Sequence, residues 1–350
     1  MNKLKPIFLK NEKEFKKLSK EKSFLSVIDV FERQLKELIF IDQPKFIGQE
    51  KKKVYQNSEF KEFVKKKKND FYYIYFPWKH TIVKSVKERD FYELKTNRNR
   101  DLILPEDQKK LYNCGIAILG LSVGSNIALT LALSGIARKM IIADCDELET
   151  TNLNRILAGI HEIGLNKTLL TAQKLYEQNP YLKLTLLPKG ISKKNLEKLL
   201  EKKEIDCIIE EIDNLFLKVQ IRDLAIKYKV PVIMITDNGE GVVLHVERYD
   251  LGYNMVFGKE ADYWLKKFSK PLTKKEIGEI ICREIVGGKE KVDRNMLLSV
   301  QKVVENKLIS WPQLGTAALL AGVVTTILIK NIVSGQNKRS YIKKYINILT

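Results

Sequence analysis

Residues 115–146, GIAILGLSVGSNIALTLALSGIARKMIIADCD, decide the fold class of this chain. The apolar run at 116–119 predicts a short buried strand that ends at Gly120, and the apolar stretch at 127–133 predicts the body of the helix that follows. A second apolar strand is predicted at 140–143, and it ends at Asp144. A strand, a glycine turn, a helix and a second strand make up a βαβ unit, whose strands run parallel.

The same alternation continues along the chain and predicts the rest of the sheet. Further strands are predicted at 182–187, 207–209 and 230–235, alternating with helices at 167–176, 193–200 and 215–228. Continuous apolar strands that alternate with helices predict an α/β fold, with a Rossmann-like doubly wound, mainly parallel sheet and ligands at the carboxyl ends of its strands. The segment 241–246 is predicted to be antiparallel, because the turn before it is too short for a crossover helix.

The first hundred residues differ from the rest of the chain. Two strands rich in aromatic and β-branched residues are predicted at 71–76 and 80–86, after several lysine-rich helices or loops. We therefore predict a small N-terminal α/β accessory region at 1–96, a main domain at 97–335 and a C-terminal tail at 336–350.

The composition describes a soluble globular chain and excludes disordered and fibrous classes, since 44% of the 350 residues are hydrophobic and 30% are charged. The formal net charge is +19, and residues 1–100 carry 26 basic against 14 acidic side chains. Only 11 of the 62 basic residues are arginine. Such a lysine excess is typical of a solvated surface, so we do not predict a nucleic-acid partner.

The cysteines form no CxxC pair, so neither a disulfide framework nor a four-thiolate zinc site is predicted. They are Cys114, Cys145, Cys207 and Cys282, and we expect Cys145 to be a small buried residue and Cys282 to lie on an apolar helix face.

The N-terminal segment lacks the apolar core of a signal peptide, and we expect a cytoplasmic protein. The longest apolar run, 314–329, is shorter than the roughly 20 residues that span a bilayer. It predicts a buried helix and no membrane segment.

The turn GLSVGS at 120–125 is a degenerate nucleotide-binding turn. Gly120 suits a tight turn and Gly124 suits close packing of helix on strand, but Ser122 adds a side chain where backbone would approach a phosphate. By itself the turn also fits a strand-to-helix connection without a ligand. Asp144 follows Gly120 by 24 residues, which is close to the separation at which an acidic residue binds a ribose.

Five segments occur in the order found in the ubiquitin-activating enzyme (E1-like) superfamily. They are GLSVGS at 120–125, DCD at 144–146, TNLNR at 151–155, GLNK at 164–167 and EIDN at 211–214. On these motifs the main domain at 97–335 resembles an adenylyltransferase of the ThiF/MoeB/HesA type, which has a Rossmann-like adenylation domain.

The resemblance implies a site for ATP and Mg²⁺. Asp144 would hold the ribose hydroxyls, and Asp213 would hold the magnesium ion, a hard cation that prefers oxygen ligands. Asn152 and Arg155 match residues that contact the phosphates, and Lys167 matches the lysine that neutralises the triphosphate as pyrophosphate leaves. The glycine turn would complete the nucleotide site through Gly120, Ser122 and Gly124.

Further residues near these motifs have more than one interpretation. The segment NRNRD at 97–101 resembles one whose arginine reaches the nucleotide of a partner subunit, which favours Arg100, with Arg98 as the second choice, and implies a homodimer. From the sequence alone, Asp213 is also a candidate N-cap of the helix at 215–228. Asp146 is expected to shape the loop after Asp144.

The activity that the resemblance implies is the ATP-dependent adenylation of a carboxylate, with the C-terminus of a small ubiquitin-like or carrier protein as the favoured substrate. The altered glycine turn and the lack of an evident thioester cysteine leave open a non-catalytic scaffold that binds a peptide or a partner enzyme. A tRNA-modifying adenylating enzyme also stays open. An NAD-dependent oxidoreductase shares the fold but does not account for Arg155, Lys167 and Asp213 together.

Several segments are similar to a variant of the superfamily that is often fused to a nitroreductase-like flavin domain. They are FPW at 76–78, NRNR at 97–100, E-E-x-D at 210–213 and WPQL at 311–314. About 20 residues follow position 330, which is too few for such a domain. We therefore expect any nitroreductase-like flavin partner to be a separate protein.

Overall fold

The chain divides into two units in the computed structural model, which describes residues 4–22 and 26–348. The first unit contains the residues up to Pro105 together with Tyr176–Tyr181. The second contains Glu106–Leu175 and the chain from Leu182 onward.

The first unit is built on a four-stranded sheet with the order β1-β3-β4-β2. Its elements are β1 (Ile7–Leu9), α1 (Glu12–Glu21), β2 (Ser26–Asp29), α2 (Phe31–Asp42), α3 (Lys51–Gln56), α4 (Ser58–Lys67), β3 (Phe71–Phe76), β4 (Thr81–Val86) and α5 (Glu88–Thr96). The two predicted strands are β3 and β4, which pair antiparallel. Their apolar side chains explain why these segments form strands, since Tyr75 and Ile82 are buried in a core with Phe15 and Leu18 of α1.

The second unit is built on a seven-stranded sheet with the order β11-β10-β9-β8-β5-β6-β7. Its elements are α6 (Pro105–Asn113), β5 (Gly115–Leu119), α7 (Val123–Leu133), β6 (Lys139–Ala143), α8 (Lys167–Gln178), β7 (Lys183–Leu187), α9 (Lys193–Glu201), β8 (Cys207–Glu210), α10 (Leu215–Tyr228), β9 (Val232–Asn238), β10 (Gly241–Glu247), α11 (Ala261–Lys267), α12 (Lys274–Ile280), α13 (Arg294–Val304), α14 (Gly315–Val333) and β11 (Tyr341–Ile346). Strands β9, β8, β5, β6 and β7 run parallel. The predicted Rossmann-like, mainly parallel α/β fold is therefore confirmed.

Helices cover both faces of this sheet because the central strand is apolar on both sides. All five residues of β5 are buried. Ala117 and Leu119 pack into a core with α9 and α10, while Ile118 lies on the opposite side next to Gly124 of α7. Successive residues of a strand point to opposite faces, so the continuous apolar run is what this two-sided burial requires.

The apolar run at 314–329 belongs to α14, which packs on α7 and β9. Among the described residues, α14 is the one helix that is long and apolar enough to cross a membrane. Its inner face is buried here, whereas Leu319, Val323 and Ile327 on its outer face are about half exposed. The prediction of a buried helix therefore holds for one face only.

Two antiparallel strands extend the parallel sheet at one edge. Strand β10 pairs antiparallel with β9, as the short turn predicted. Strand β11, which lies within the predicted C-terminal tail, pairs antiparallel with β10. Two adjacent lysines, Lys343 and Lys344, lie in the middle of Tyr341–Ile346 and suit an edge strand, because lysine discourages further pairing at the open edge.

A buried charge cluster fastens α10 to this sheet. Arg222 is fully buried, with its Nε 2.6 Å from Oε2 of Glu247 and its Nη1 2.7 Å from Oε2 of Glu210. Lys218 Nζ lies 3.0 Å from Oε1 of Glu210. Burial opposes ionisation of these groups, but Lys218 and Arg222 hold the pKa of Glu210 below its usual value. Charges removed from water in this way must stay paired.

We predict that Arg222→Met strongly destabilises the second unit, because Glu247 then loses its cation while buried. The expected cost is about 3–5 kcal/mol, measured as the shift of the denaturant midpoint in urea unfolding. The matched control is Lys193→Met, which breaks the exposed ion pair with Asp223 on neighbouring helices and should change little. Equal shifts in the two variants would contradict the prediction.

Candidate functional site

The predicted site residues of the second unit meet at the carboxyl edge of the parallel sheet. The glycine turn follows β5, Asp144 follows β6 and Asp213 lies just beyond β8, and β5 pairs with both of the other strands. The carboxyl ends of parallel strands lie at one edge, so the fold brings these three segments together. The crevice between β5 and β8, where the strand order reverses, is where such sheets bind ligands.

The glycine turn is fixed by a close backbone approach. Gly120 has φ +93°, and a Cβ atom added there would lie 2.4 Å from the carbonyl oxygen of Glu211. A Cβ on Gly124 would lie 3.0 Å from Cγ2 of Ile118, so α7 packs tightly against β5. Neither position accepts a larger side chain without displacing β5, α7 or the segment that follows β8.

Asp144 organises the turn from the neighbouring strand. Its Oδ2 accepts a hydrogen bond from the backbone N–H of Leu121 at 2.6 Å, and its Oδ1 accepts one from the N–H of Asp146 at 2.8 Å. Partial burial raises the pKa of Asp144, although these N–H donors and Lys167 oppose the shift. The side chain that the resemblance assigns to the ribose therefore also ties the glycine turn to the loop after β6.

Arg155 is anchored at the amino end of α7. Its Nε donates to Oγ of Ser122 at 2.9 Å, and its Nη1 donates to the carbonyl of Thr151 and to Oδ1 of Asn154. Ser122 is the N-cap residue of α7 but makes no capping hydrogen bond with its side chain. The guanidinium and the positive end of the helix dipole therefore lie together, which favours an anion at this place.

Lys167 begins α8 and is 7% exposed. Its Nζ lies 3.0 Å from Oδ2 of Asp146, so this lysine is paired in the structure. A cavity of about 530 Å³ opens beside it, lined by Asp146, Glu147, Leu148, Glu149, Thr150, Ile163, Gly164 and Lys167. Asp146 thus shapes the loop, as expected, and also holds the lysine.

Asn152 and Asp213 differ in how free their side chains are. The Oδ1 of Asn152, which is buried, accepts the N–H of Glu149 at 3.1 Å and so stabilises the loop. Asn214, and not Asp213, caps α10 by accepting the N–H of Leu217 at 2.9 Å. The alternative role of Asp213 as an N-cap is therefore wrong. Its exposed carboxylate fits a Mg²⁺ ion that also binds phosphate oxygens.

The structure also places three further residues of the sequence analysis, Arg100, Cys145 and Cys282. Arg100 belongs to the first unit, where it is exposed and its Nη2 lies 3.5 Å from Oε1 of Glu93. Cys145 was expected to be buried, and this is wrong, because it is exposed in the loop between Asp144 and Asp146. Cys282 is buried, as expected for an apolar helix face, in the π-helical turn Ile281–Val286.

Sequence reasoning missed Asp237, which lies near the end of β9. It is 6% exposed, and its Oδ2 accepts a hydrogen bond from Nε2 of Gln313 at 3.3 Å. Burial raises the pKa of Asp237 to about 6, although Arg155 opposes the shift. A polar T-D-N end after an apolar strand was the signal, since Asp144 also follows an apolar strand.

Comparisons with known proteins agree with this fold. A sequence model of the ThiF family matches residues 95–348. An uncharacterised protein of Mycobacterium tuberculosis is 35% identical over 242 residues, which are 69% of this chain and 33% of that protein. The sulfur carrier protein ThiS adenylyltransferase of Escherichia coli is 28% identical over 163 residues, 46% of this chain and 64% of that protein. The chain thus spans less than two thirds of either relative.

A solved structure shares the fold. Escherichia coli tRNA N6-threonylcarbamoyladenosine dehydratase, in complex with AMP, has a TM-score of 0.51 and 17% identity, covering 73% of this chain and 100% of that chain.

We predict that Gly120→Ala is far more destabilising than Gly252→Ala. Both glycines have positive φ values, +93° and +85°, but an added Cβ meets nothing within 4 Å at Gly252. Gly252→Ala should therefore cost about 1 kcal/mol from backbone strain alone. Gly120→Ala adds the clash with Glu211, and its denaturant midpoint in urea unfolding should fall well below that of Gly252→Ala. Similar midpoints would show that the turn can move away from β8.

Proposed function

Because the chain belongs to the ThiF family, we propose that it is an ATP-dependent adenylyltransferase that activates a carboxylate as an acyl-adenylate. One observation carries the proposal: the hydrogen bond from Arg155 to Ser122 places a permanent cation on the glycine turn at the amino end of α7. A fixed guanidinium beside a helix terminus suits phosphate binding and the stabilisation of charge that develops on it. Asp144 and Asp213 lie beyond the carboxyl ends of β6 and β8, the two strands that pair with β5.

We propose that the substrate is the C-terminus of a small ubiquitin-like or carrier protein. The name of the Escherichia coli relative, a sulfur carrier protein adenylyltransferase, supports this substrate class. A carboxylate oxygen forms a bond to the α-phosphorus of ATP, while the bond from that phosphorus to the bridging oxygen breaks. Pyrophosphate leaves with the electron pair. A carboxylate is already anionic at neutral pH, so the step needs no protein base.

The residues of the site would then act by position and charge. Asp144 would hold the ribose hydroxyls, and Arg155 would contact the phosphates from the glycine turn. Lys167 is paired with Asp146, and it would exchange this partner for the triphosphate as negative charge develops on the leaving group. A Mg²⁺ ion at Asp213 would neutralise phosphate charge.

We further propose that the protein is a homodimer. The outer face of α14 exposes Leu319, Val323 and Ile327, spaced four residues apart, beside the core of the second unit. An apolar stripe of this kind suits burial against an equivalent stripe across a twofold axis. Arg100, which the resemblance assigns to the nucleotide of the partner subunit, is exposed and available for such a contact. A separate flavin enzyme as partner and a cytoplasmic location stay predictions.

We expect Arg155→Ala and Lys167→Ala to slow the chemical step more than they weaken binding of MgATP. Loss of one preorganised contact to the developing charge should lower turnover on the order of 10²- to 10³-fold. The assay is exchange of labelled pyrophosphate into ATP, dependent on candidate carrier proteins from the same organism. Calorimetry should show less than about a tenfold change in MgATP affinity, since transition-state contacts mainly affect the rate.

The matched control for this assay is Lys198→Ala, which removes an exposed lysine of α9 and should leave exchange unchanged. Exchange that persists in Arg155→Ala would refute its catalytic role. If no carrier supports exchange, yet a partner protein binds both variants as tightly as the wild type, the non-catalytic scaffold is the better description.

Mixing tests the dimer and the role of Arg100 together. Arg100→Ala and Arg155→Ala proteins should each be inactive, and each mixed dimer should regain one intact site. Random mixing should therefore restore about a quarter of wild-type exchange. Leu319→Glu should shift the protein towards the monomer in sedimentation and abolish this restoration. Dimers that show no restoration would place Arg100 outside the partner's site.

A further inference from the structure

We propose that Asp237 and Gln313 form a positioning pair that holds Arg155 in place for the nucleotide, an inference that rests on the proposed function. The pair lies where the end of β9 meets the segment before α14. Gln313 belongs to the WPQL segment, for which the adenylation chemistry supplies no role.

A continuous set of hydrogen bonds joins this pair to Arg155. The Nε2 of Gln313 donates to Asp237, and the carbonyl of Gln313 accepts from Nδ2 of Asn154 at 2.7 Å. The Oδ1 of Asn154 accepts from Nη1 of Arg155 at 3.0 Å. Asn126 adds a bond from its Nδ2 to the Arg155 carbonyl at 2.8 Å. Helix α7, the loop after β6 and the start of α14 therefore fix the arginine together.

Asp237 acts on Arg155 through charge. Burial lowers the pKa of Arg155, and Asp237, with Asp213 and Glu149, opposes this shift. The Oδ1 of Asp237 is buried without a hydrogen-bond partner in the described part of the chain. A carboxylate with one unpartnered oxygen and a neighbouring cation is stabilised mainly by that cation. Any anion that competes for Arg155 therefore favours protonation of Asp237.

This competition determines whether the affinity for MgATP rises or falls with pH. The polar and charged groups that interact with Asp237 are Arg155, Gln313 and Glu211, the last of which directly follows the neighbouring strand β8. Without nucleotide the pKa of Asp237 is about 6. Bound triphosphate would raise this pKa, so MgATP binding takes up a proton. Affinity should rise as pH falls towards about 6 and level off below it.

The test is calorimetry of MgATP binding to the full chain and to Asp237→Asn, at saturating Mg²⁺ and between pH 5 and 8. We expect Asp237→Asn to bind MgATP about three- to tenfold more tightly at pH 7.5, because a repelling carboxylate is removed. Its proton uptake, measured in buffers of different ionisation enthalpy, should disappear. Pyrophosphate exchange should slow at the same time, because Arg155 loses its restraint. A purely structural role would weaken binding and leave proton uptake unchanged.

Two further variants identify the titrating group. Glu240→Gln removes an exposed charge three residues from Asp237 and should keep the proton uptake of the wild type. Gln313→Leu should move the pH midpoint upward, because its hydrogen bond holds the pKa of Asp237 lower. Proton uptake that is lost in Glu211→Gln but kept in Asp237→Asn would overturn the inference. Thermal unfolding of each variant confirms that it is folded.

The two proposals fail in different ways. Wild-type protein that does not bind MgATP would refute the adenylyltransferase, and the positioning pair with it. Wild-type protein that binds MgATP while Asp237→Asn shows the same affinity and the same proton uptake would refute the positioning pair alone.

Discussion

The contact between Gly120 and the carbonyl of Glu211 is the constraint on which the site depends. A glycine is required because a Cβ would lie 2.4 Å from that oxygen. The chain therefore leaves β5 directly against the end of β8, and α7 begins at the crevice where the strand order reverses. The turn thereby places the amino end of α7 at the sheet edge where the segments that carry Asp144 and Asp213 follow β6 and β8.

The altered turn is explained by a contact that the sequence does not display. Where nucleotide-binding turns favour glycine, this chain has Ser122, and its hydroxyl accepts the Nε of Arg155 instead of capping α7. A side chain at this position costs some access of backbone N–H groups to a phosphate. It also brings an arginine to the same point, whose Nη2 is left to donate charge-assisted hydrogen bonds to phosphate oxygens, since its Nε and Nη1 are already used. Ser122 thus gives up some backbone N–H donors for a phosphate and instead holds the Arg155 guanidinium at the turn.

The sequence predicted what depends on local patterns and missed what depends on distant contacts. Apolar runs gave the five parallel strands and the antiparallel β10, because burial on both faces demands continuous apolar residues. The short strands β1, β2 and β11 carry no such signal, since each pairs at a sheet edge. Motif spacing grouped Asp144, Arg155 and Asp213, although their roles stay predictions. Asp237 was missed because its partner Gln313 lies 76 residues away.

Three acidic residues at and just after the end of β8 carry the same carboxyl group but differ in burial and in their partners. These differences give each of them a different role. Glu210 is fully buried but paired with Lys218 and Arg222, which hold its pKa low. Its role is therefore to attach α10 to the sheet. Burial raises the pKa of Glu211 well above its usual range, and its Oε1 accepts the N–H of Ile235 across the neighbouring strand. Asp213 is exposed. Only an exposed carboxylate keeps its oxygens available without a large desolvation cost, which supports the proposal of a metal ion at Asp213.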